Sequence, residues 1–85
     1  MWFVYILKCK DKTLYTGVTK DLAKRLEKHN KGTASKYTRC RVPVKMVFTE
    51  THSDKISAMK REYQIKQLTK IKKLALIKGN KKKDK

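Results

Sequence analysis

Six consecutive apolar residues, Trp2-Phe3-Val4-Tyr5-Ile6-Leu7, stand near the start of an 85-residue chain that is otherwise rich in lysine. The run is too uniform for the in-and-out alternation of a half-exposed strand, so it predicts a strand covered on both faces. That is a demanding requirement for a short chain. Below about 100 residues a chain rarely divides into domains, and one of this size buries roughly 60–65% of its unfolded surface. The core is therefore modest, and a functional site should be a shallow face rather than a deep pocket.

Lys10-Asp11-Lys12 is polar and carries aspartate, a good turn former. Leu14 to Val18 returns as a second strand, so residues 2–18 read as a β-hairpin. Side chains alternate along a strand, and Tyr5 and Tyr15 share a face when the loop has an odd number of residues. With a three-residue loop, Tyr5 lies opposite Gly17 and Tyr15 opposite Leu7, and both phenols project from one side. Gly17 then presents no side chain, which leaves room for a ligand backbone.

Thr19 or Asp21 caps a helix in which Leu22, Leu26 and His29 recur at i, i+4 and i+7. Arg25 and His29 are i, i+4 neighbours on the border of that stripe, and Gly32 ends the helix. Residues 33–42 show no clean period. They read as a loop whose Lys36, Tyr37 and Arg39, beside hydroxyl side chains, suit phosphate contacts. Pro43 lacks an amide hydrogen, so the strand Val44 to Glu50 starts at or near a sheet edge. Ser53 or Asp54 caps a second helix to about Leu68, with Ile56, Met59, Tyr63 and Ile65 among its apolar positions. Thr69 caps a third, Lys70 to Lys78, packing Ile71, Leu74, Leu76 and Ile77 and stopped by Gly79. Residues 1–79 are thus expected to form the single domain, and 80–85 a charged disordered tail with nothing to bury.

Lysine and arginine total 24 against 7 acidic residues, a formal charge of +17. Such an excess repels itself in a compact fold and calls for a polyanionic partner. Nucleic acid fits best, since phosphate neutralisation releases counterions. An anionic membrane surface fits less well, because the one tryptophan lies in a strand-like run rather than on an amphipathic helix. No run reaches the ~18 apolar residues of a spanning helix, and the first run lacks the flanks of a signal peptide. Cys9 and Cys40 make no CxxC pair and there is no zinc spacing. Free thiols point to a reducing, cytoplasmic setting.

Phe3-Val4-Tyr5 and Tyr15-Thr16-Gly17, with nine residues between the tyrosines, resemble the two halves of the GIY-YIG nuclease signature. Arg25, His29-Asn30 and a helix-borne Glu62 follow in that family's order. The resemblance spans residues 1–77 and is nearest to small stand-alone bacterial members, through the Tyr-Thr-Gly-Val, His-Asn-Lys-Gly and Lys-Tyr-Thr-Arg stretches. Two positions depart: Phe3-Val4 replaces Gly-Ile, and Val18 stands where some relatives have lysine. The resemblance implies an α+β fold, a three-stranded antiparallel sheet flanked by three helices. It also implies phosphodiester cleavage with one divalent ion, Mg²⁺ or Mn²⁺. Tyrosine (Tyr5 or Tyr15) would act on the attacking water, Arg25 on the phosphate, His29 in proton transfer or phosphate hydrogen bonding, and Glu62 on the metal.

The residues suit this chemistry on their own terms. A guanidinium fork matches the charge that builds on phosphate oxygens during attack. A phenol near pKa 10 needs nearby cations before it can serve as a base at neutral pH. Among the seven acids, Asp11 is in a turn, Asp21 and Asp54 start helices, Asp84 is in the tail, Glu27 sits among lysines and Glu50 closes a strand. Glu62 alone is mid-helix on an inward border, with an i, i+4 ion pair to Lys66 as its structural alternative. The expectation is an endonuclease acting on DNA, selective for irregular or branched structure because no second domain reads bases, with repair or recombination as the setting. A separate targeting protein and any oligomeric state stay open. The rival reading is a non-enzymatic DNA- or RNA-binding module on the same scaffold.

Overall fold

A computed structural model describes residues 1–83, with side chains through Gly79. Seven elements follow in order: β1 (Trp2–Lys8), β2 (Leu14–Thr19), α1 (Leu22–Asn30), α2 (Lys36–Arg39), β3 (Lys45–His52), α3 (Lys55–Lys66) and α4 (Lys70–Lys83). The strands form one antiparallel sheet in the order β2-β1-β3. The central strand is the uniformly apolar one, and its two faces build two cores. Val4 and Ile6 pack with Phe48, Ala58, Ile65 and Ile77 beneath α3 and α4. Tyr5 and Leu7 pack with Cys9 and Val44, joined by Tyr15, Leu22, Leu26 and Met46 on the α1 side.

The expected hairpin register is the one observed: Tyr5 pairs with Gly17 and Leu7 with Tyr15. The Cys9 amide donates to the Thr13 carbonyl at 2.9 Å and closes a loop over residues 10–12, in which Lys12 takes φ +68°. An odd loop keeps both tyrosines on one side of the sheet. The space above Gly17 is not left for a ligand backbone, as the sequence suggested. It is filled by Tyr5, whose Cζ would lie 2.6 Å from a Cβ at position 17, with its hydroxyl nearer still.

Helix caps resolve the sequence alternatives. Asp21 accepts the Lys24 amide at 3.0 Å and caps α1, while Asp54 accepts that of Ser57 at 2.8 Å and caps α3. Gly32, at φ +78°, follows α1 as expected. Asn30 does more than end that helix. Its side-chain amide bonds both backbone groups of Val44, accepting at 2.8 Å and donating at 3.3 Å, which ties α1 to the start of β3.

Four expectations change. Residues 36–39, read as loop, form the short helix α2, capped by Ser35; four residues are too few to show a period. β3 continues past Glu50 to His52, paired with Trp2. α4 passes through Gly79 to Lys83. Glycine costs a helix interior about 1 kcal/mol but ends it when the backbone turns left-handed, and Gly79 does not. Of the tail expected from residue 80, residues 80–83 therefore continue α4, and residues 84–85 lie outside the described residues. Finally, Ile56 (68% exposed), Met59, Tyr63, Ile71 and Leu74 face solvent. α3 buries the stripe through Ala58 and Ile65 instead, and α4 meets the sheet along Leu76 and Ile77.

The packing over position 17 yields a test. Gly17→Ala should destabilise the fold by about 1–3 kcal/mol through overpacking against Tyr5. The cost should vanish in a Tyr5→Ala background, because the nearest atoms to the added methyl are all Tyr5's. Urea unfolding of the four variants in a double-mutant cycle measures the coupling.

Candidate active site

Tyr5 reaches across Gly17 toward the β2 edge, and an open cleft of about 350 Å³ lies there. It is lined by Trp2, Tyr5, Tyr15, Gly17, Val18, Arg25, Lys55, Met59 and Glu62. Residues from β1, β2, α1 and α3 thus converge on one shallow face. Four of the five residues expected to carry chemistry line it: Tyr5, Tyr15, Arg25 and Glu62. His29 does not line the cleft. It stands behind it, 1% exposed, touching both phenols.

Two hydrogen bonds hold the His29 ring. His29 Nδ1 lies 2.8 Å from Thr38 Oγ1, which is itself within 3.4 Å of the Ser35 carbonyl. His29 Nε2 lies 2.9 Å from the Tyr5 hydroxyl, and the tautomer decides which group donates in each bond. Burial, reinforced by the Arg25 charge, holds His29 below the ordinary imidazole range and keeps it neutral at pH 7. Thr38, fully buried, escaped the sequence reading. It lies in the Lys-Tyr-Thr-Arg stretch that carries the family resemblance, which marked the segment but gave Thr38 no role.

The phenols differ. Burial pushes the Tyr5 hydroxyl up to about 12, Tyr15 adds to the rise, and the Arg25 guanidinium pulls against it without prevailing. Cations were expected to favour the phenolate; desolvation outweighs them, and Tyr5 rests as a neutral phenol hydrogen-bonded to His29. Tyr15 is clamped by aromatic contacts, with its ring centroid 5.2 Å from that of His29 and 5.7 Å from Tyr37 in a stacked pair. Arg41 lies 4.2 Å over the other partner of that stack, Tyr37, and bonds Asp11 at 3.0 Å. The α2 segment therefore braces the hairpin. Lys36 and Arg39 are on α2 and do not line the cleft, whereas Tyr37 reaches it through Tyr15.

Glu62 is half-buried, with one carboxylate oxygen 3.5 Å from Lys66 Nζ, so the ion pair and the cleft-lining position coexist. The other partly buried acid, Glu50, is taken up by Arg61 (3.0 Å) and His52 (2.8 Å). Among the described residues no group of three His, Cys, Asp or Glu side chains could hold a metal. A single carboxylate in an open cleft still suits a hard ion such as Mg²⁺, which takes one or two carboxylates and completes its shell with phosphate and water oxygens. Lys55 was missed, although Lys55, Met59 and Glu62 recur at i, i+4 and i+7, the period that marks one helix face. A larger hollow of about 660 Å³ on α3, lined by Ile56, Met59, Lys60, Tyr63 and Gln64, is mainly apolar and offers no carboxylate. No helix among the described residues is long and apolar enough to cross a membrane.

Comparison with known proteins covers the same region. The family model for the GIY-YIG catalytic domain matches residues 1–75. UPF0213 proteins from Staphylococcus aureus strains Mu50 and N315 are 55% identical over 76 residues, which is 89% of this chain and 93% of theirs. The solution NMR structure of a UPF0213 protein from Bacillus halodurans is 44% identical, covering 92% of this chain and 84% of that one, with a TM-score of 0.59. The matched stretch runs from β1 into α4 and takes in both tyrosines, Arg25 and Glu62. With its antiparallel sheet and flanking helices, the chain belongs to the GIY-YIG catalytic domain family.

Proposed function

We propose that the chain is a metal-dependent endonuclease that hydrolyses DNA phosphodiesters in the cleft between β2 and α3, selecting irregular or branched structure over sequence. The convergence there of two phenols, a guanidinium and a carboxylate carries this reading. The net charge of +17 supports a polyanionic substrate. A buried Cys9 and an exposed Cys40, both free, suit a reducing cytoplasm.

In this reading the water that attacks phosphorus loses its proton to the Tyr5 oxygen as the Tyr5 proton passes to His29 Nε2. A neutral phenol with a bare imidazole nitrogen 2.9 Å away is arranged for that transfer and needs no free phenolate. The relay uses the tautomer in which Nδ1 donates to Thr38 Oγ1 and Nε2 is bare. Arg25 lies beside the phenols to take the charge that develops on the phosphate oxygens. Tyr15, held between His29 and Tyr37, shapes the same wall. Glu62 would hold the divalent ion, which when bound supplies Lewis-acid stabilisation of the phosphate.

Cleavage of a branched DNA substrate with Mg²⁺ tests the assignment. Glu62→Gln should lower the rate by about 10²-fold or more while DNA binding changes little, and Arg25→Ala should cost about 10²–10³-fold. Cutting by Glu62→Gln at the wild-type rate would overturn the metal assignment. DNA binding with no cleavage by the wild type would favour the binding-module reading.

The pH profile follows from the relay. Transfer needs neutral His29, so single-turnover rates should fall as pH drops through a midpoint below 6.5. On the alkaline side, Tyr5 should cause no loss until pH approaches about 12. A rate that rises with a midpoint near 10, the ordinary phenol value, would instead show that free phenolate is required.

A further inference from the structure

A second concavity adjoins the cleft and shares two of its walls. About 330 Å³ in volume, it is lined by Trp2, Thr19, Lys20, Asp21, Lys24, Arg25 and Lys28, and Trp2 and Arg25 line the cleft as well. Its charge is lopsided, with four cations against one carboxylate. That carboxylate, Asp21, turns to the Lys24 amide as the helix cap. Glu27, the acid between Lys24 and Lys28 in sequence, pairs with Lys31 instead.

Trp2 stands at the junction. Lys20 Nζ, from the second concavity, lies 5.3 Å from its ring, and Lys55 Nζ, from the cleft, lies 5.5 Å from the same ring. A cation–π contact at a part-exposed ring contributes about 0.5–1 kcal/mol, which anchors each ammonium group but does not neutralise it. The two ammonium groups bring the positive charge of both concavities to one ring, and an anion beside it relieves that concentration. A lone anion relieves one concavity. A chain with a negative charge at every step relieves both.

We propose that the second concavity is a phosphate-binding subsite. In it the DNA strand leaving the cleft lays its next phosphates on Lys20, Lys24 and Lys28, and it passes over Trp2 on the way. This rests on the nuclease reading for the placement of the scissile phosphate at the Arg25 end. Trp2 is the chain's one tryptophan, so the crossing point carries its own reporter.

The test is binding of a short DNA duplex to the full chain in chelator, so that association is read without cleavage. Trp2 emission should change saturably. Replacing Lys20, Lys24 and Lys28 together by alanine should weaken binding at least tenfold. It should also lower the slope of log affinity against log salt by about two to three, because each phosphate neutralised by a lysine contributes roughly one to that slope. Lys70→Ala, Lys72→Ala and Lys78→Ala together remove the same charge from exposed positions on α4 and should change the slope by less than about one. An equal fall in slope for the two triple variants, or unchanged Trp2 emission at saturation, would overturn the subsite. The two proposals fail separately. Metal-dependent cutting with an equal fall in slope would remove the subsite alone. An unequal fall without any cutting would remove the nuclease reading and keep the subsite as a binding track.

Discussion

The structure depends on one strand being buried from both sides. Val4 and Ile6 drive into the core under α3 and α4, and Tyr5 and Leu7, one residue out of phase, drive into the core under α1. Tyr5 is consequently a core residue and a site residue at once. Its ring is held by packing, and its hydroxyl crosses Gly17 to reach the cleft side of β2. Precision at the site comes from the same contacts that stabilise the sheet, which is an economical arrangement for a chain with so little interior.

That dual role sets the chemistry. Burial in a strongly cationic protein could have been expected to yield a phenolate, yet desolvation at Tyr5 exceeds the pull of Arg25, and the same burial keeps His29 neutral. The result is an uncharged hydrogen-bonded chain, Tyr5 to His29 to Thr38 to the Ser35 carbonyl, running back from the cleft into the fold. Positive charge lines the outside, and this uncharged hydrogen-bonded chain lies within. In the proposed reaction the phosphate stays at the surface and the proton goes inward.

Much of this was legible in the residues. The odd loop after Leu7 placed both phenols on one side, and Arg25 was marked on the border of the α1 stripe, from which it reaches the cleft. Elimination among the acids left Glu62; Glu50, set aside as closing a strand, instead lies within β3 and is occupied by Arg61 and His52. Other features had no local signature. α2 is shorter than a helical period can reveal, and Thr38 acts through contacts that depend on where α2 docks. Apolar residues on α3 and α4 suggested packing for Met59, Tyr63, Ile71 and Leu74, but only one face of each helix meets the sheet, and these lie on the others. Lys55 was recoverable, since it repeats the spacing of Met59 and Glu62. A search for the metal-binding carboxylate alone passes over the cation on the same stripe.

The central claim is that a single phosphate is met by the Tyr5 hydroxyl and Arg25 on one flank and by the Glu62 carboxylate on the other. A crystal structure with a cleavage-resistant phosphorothioate DNA and Mn²⁺ tests this most directly. The account predicts cation density at the Glu62 carboxylate, and a phosphate oxygen within hydrogen-bonding distance of the Tyr5 oxygen and the Arg25 guanidinium. DNA seated on another face, with Glu62 still paired to Lys66 and no cation beside it, would contradict it.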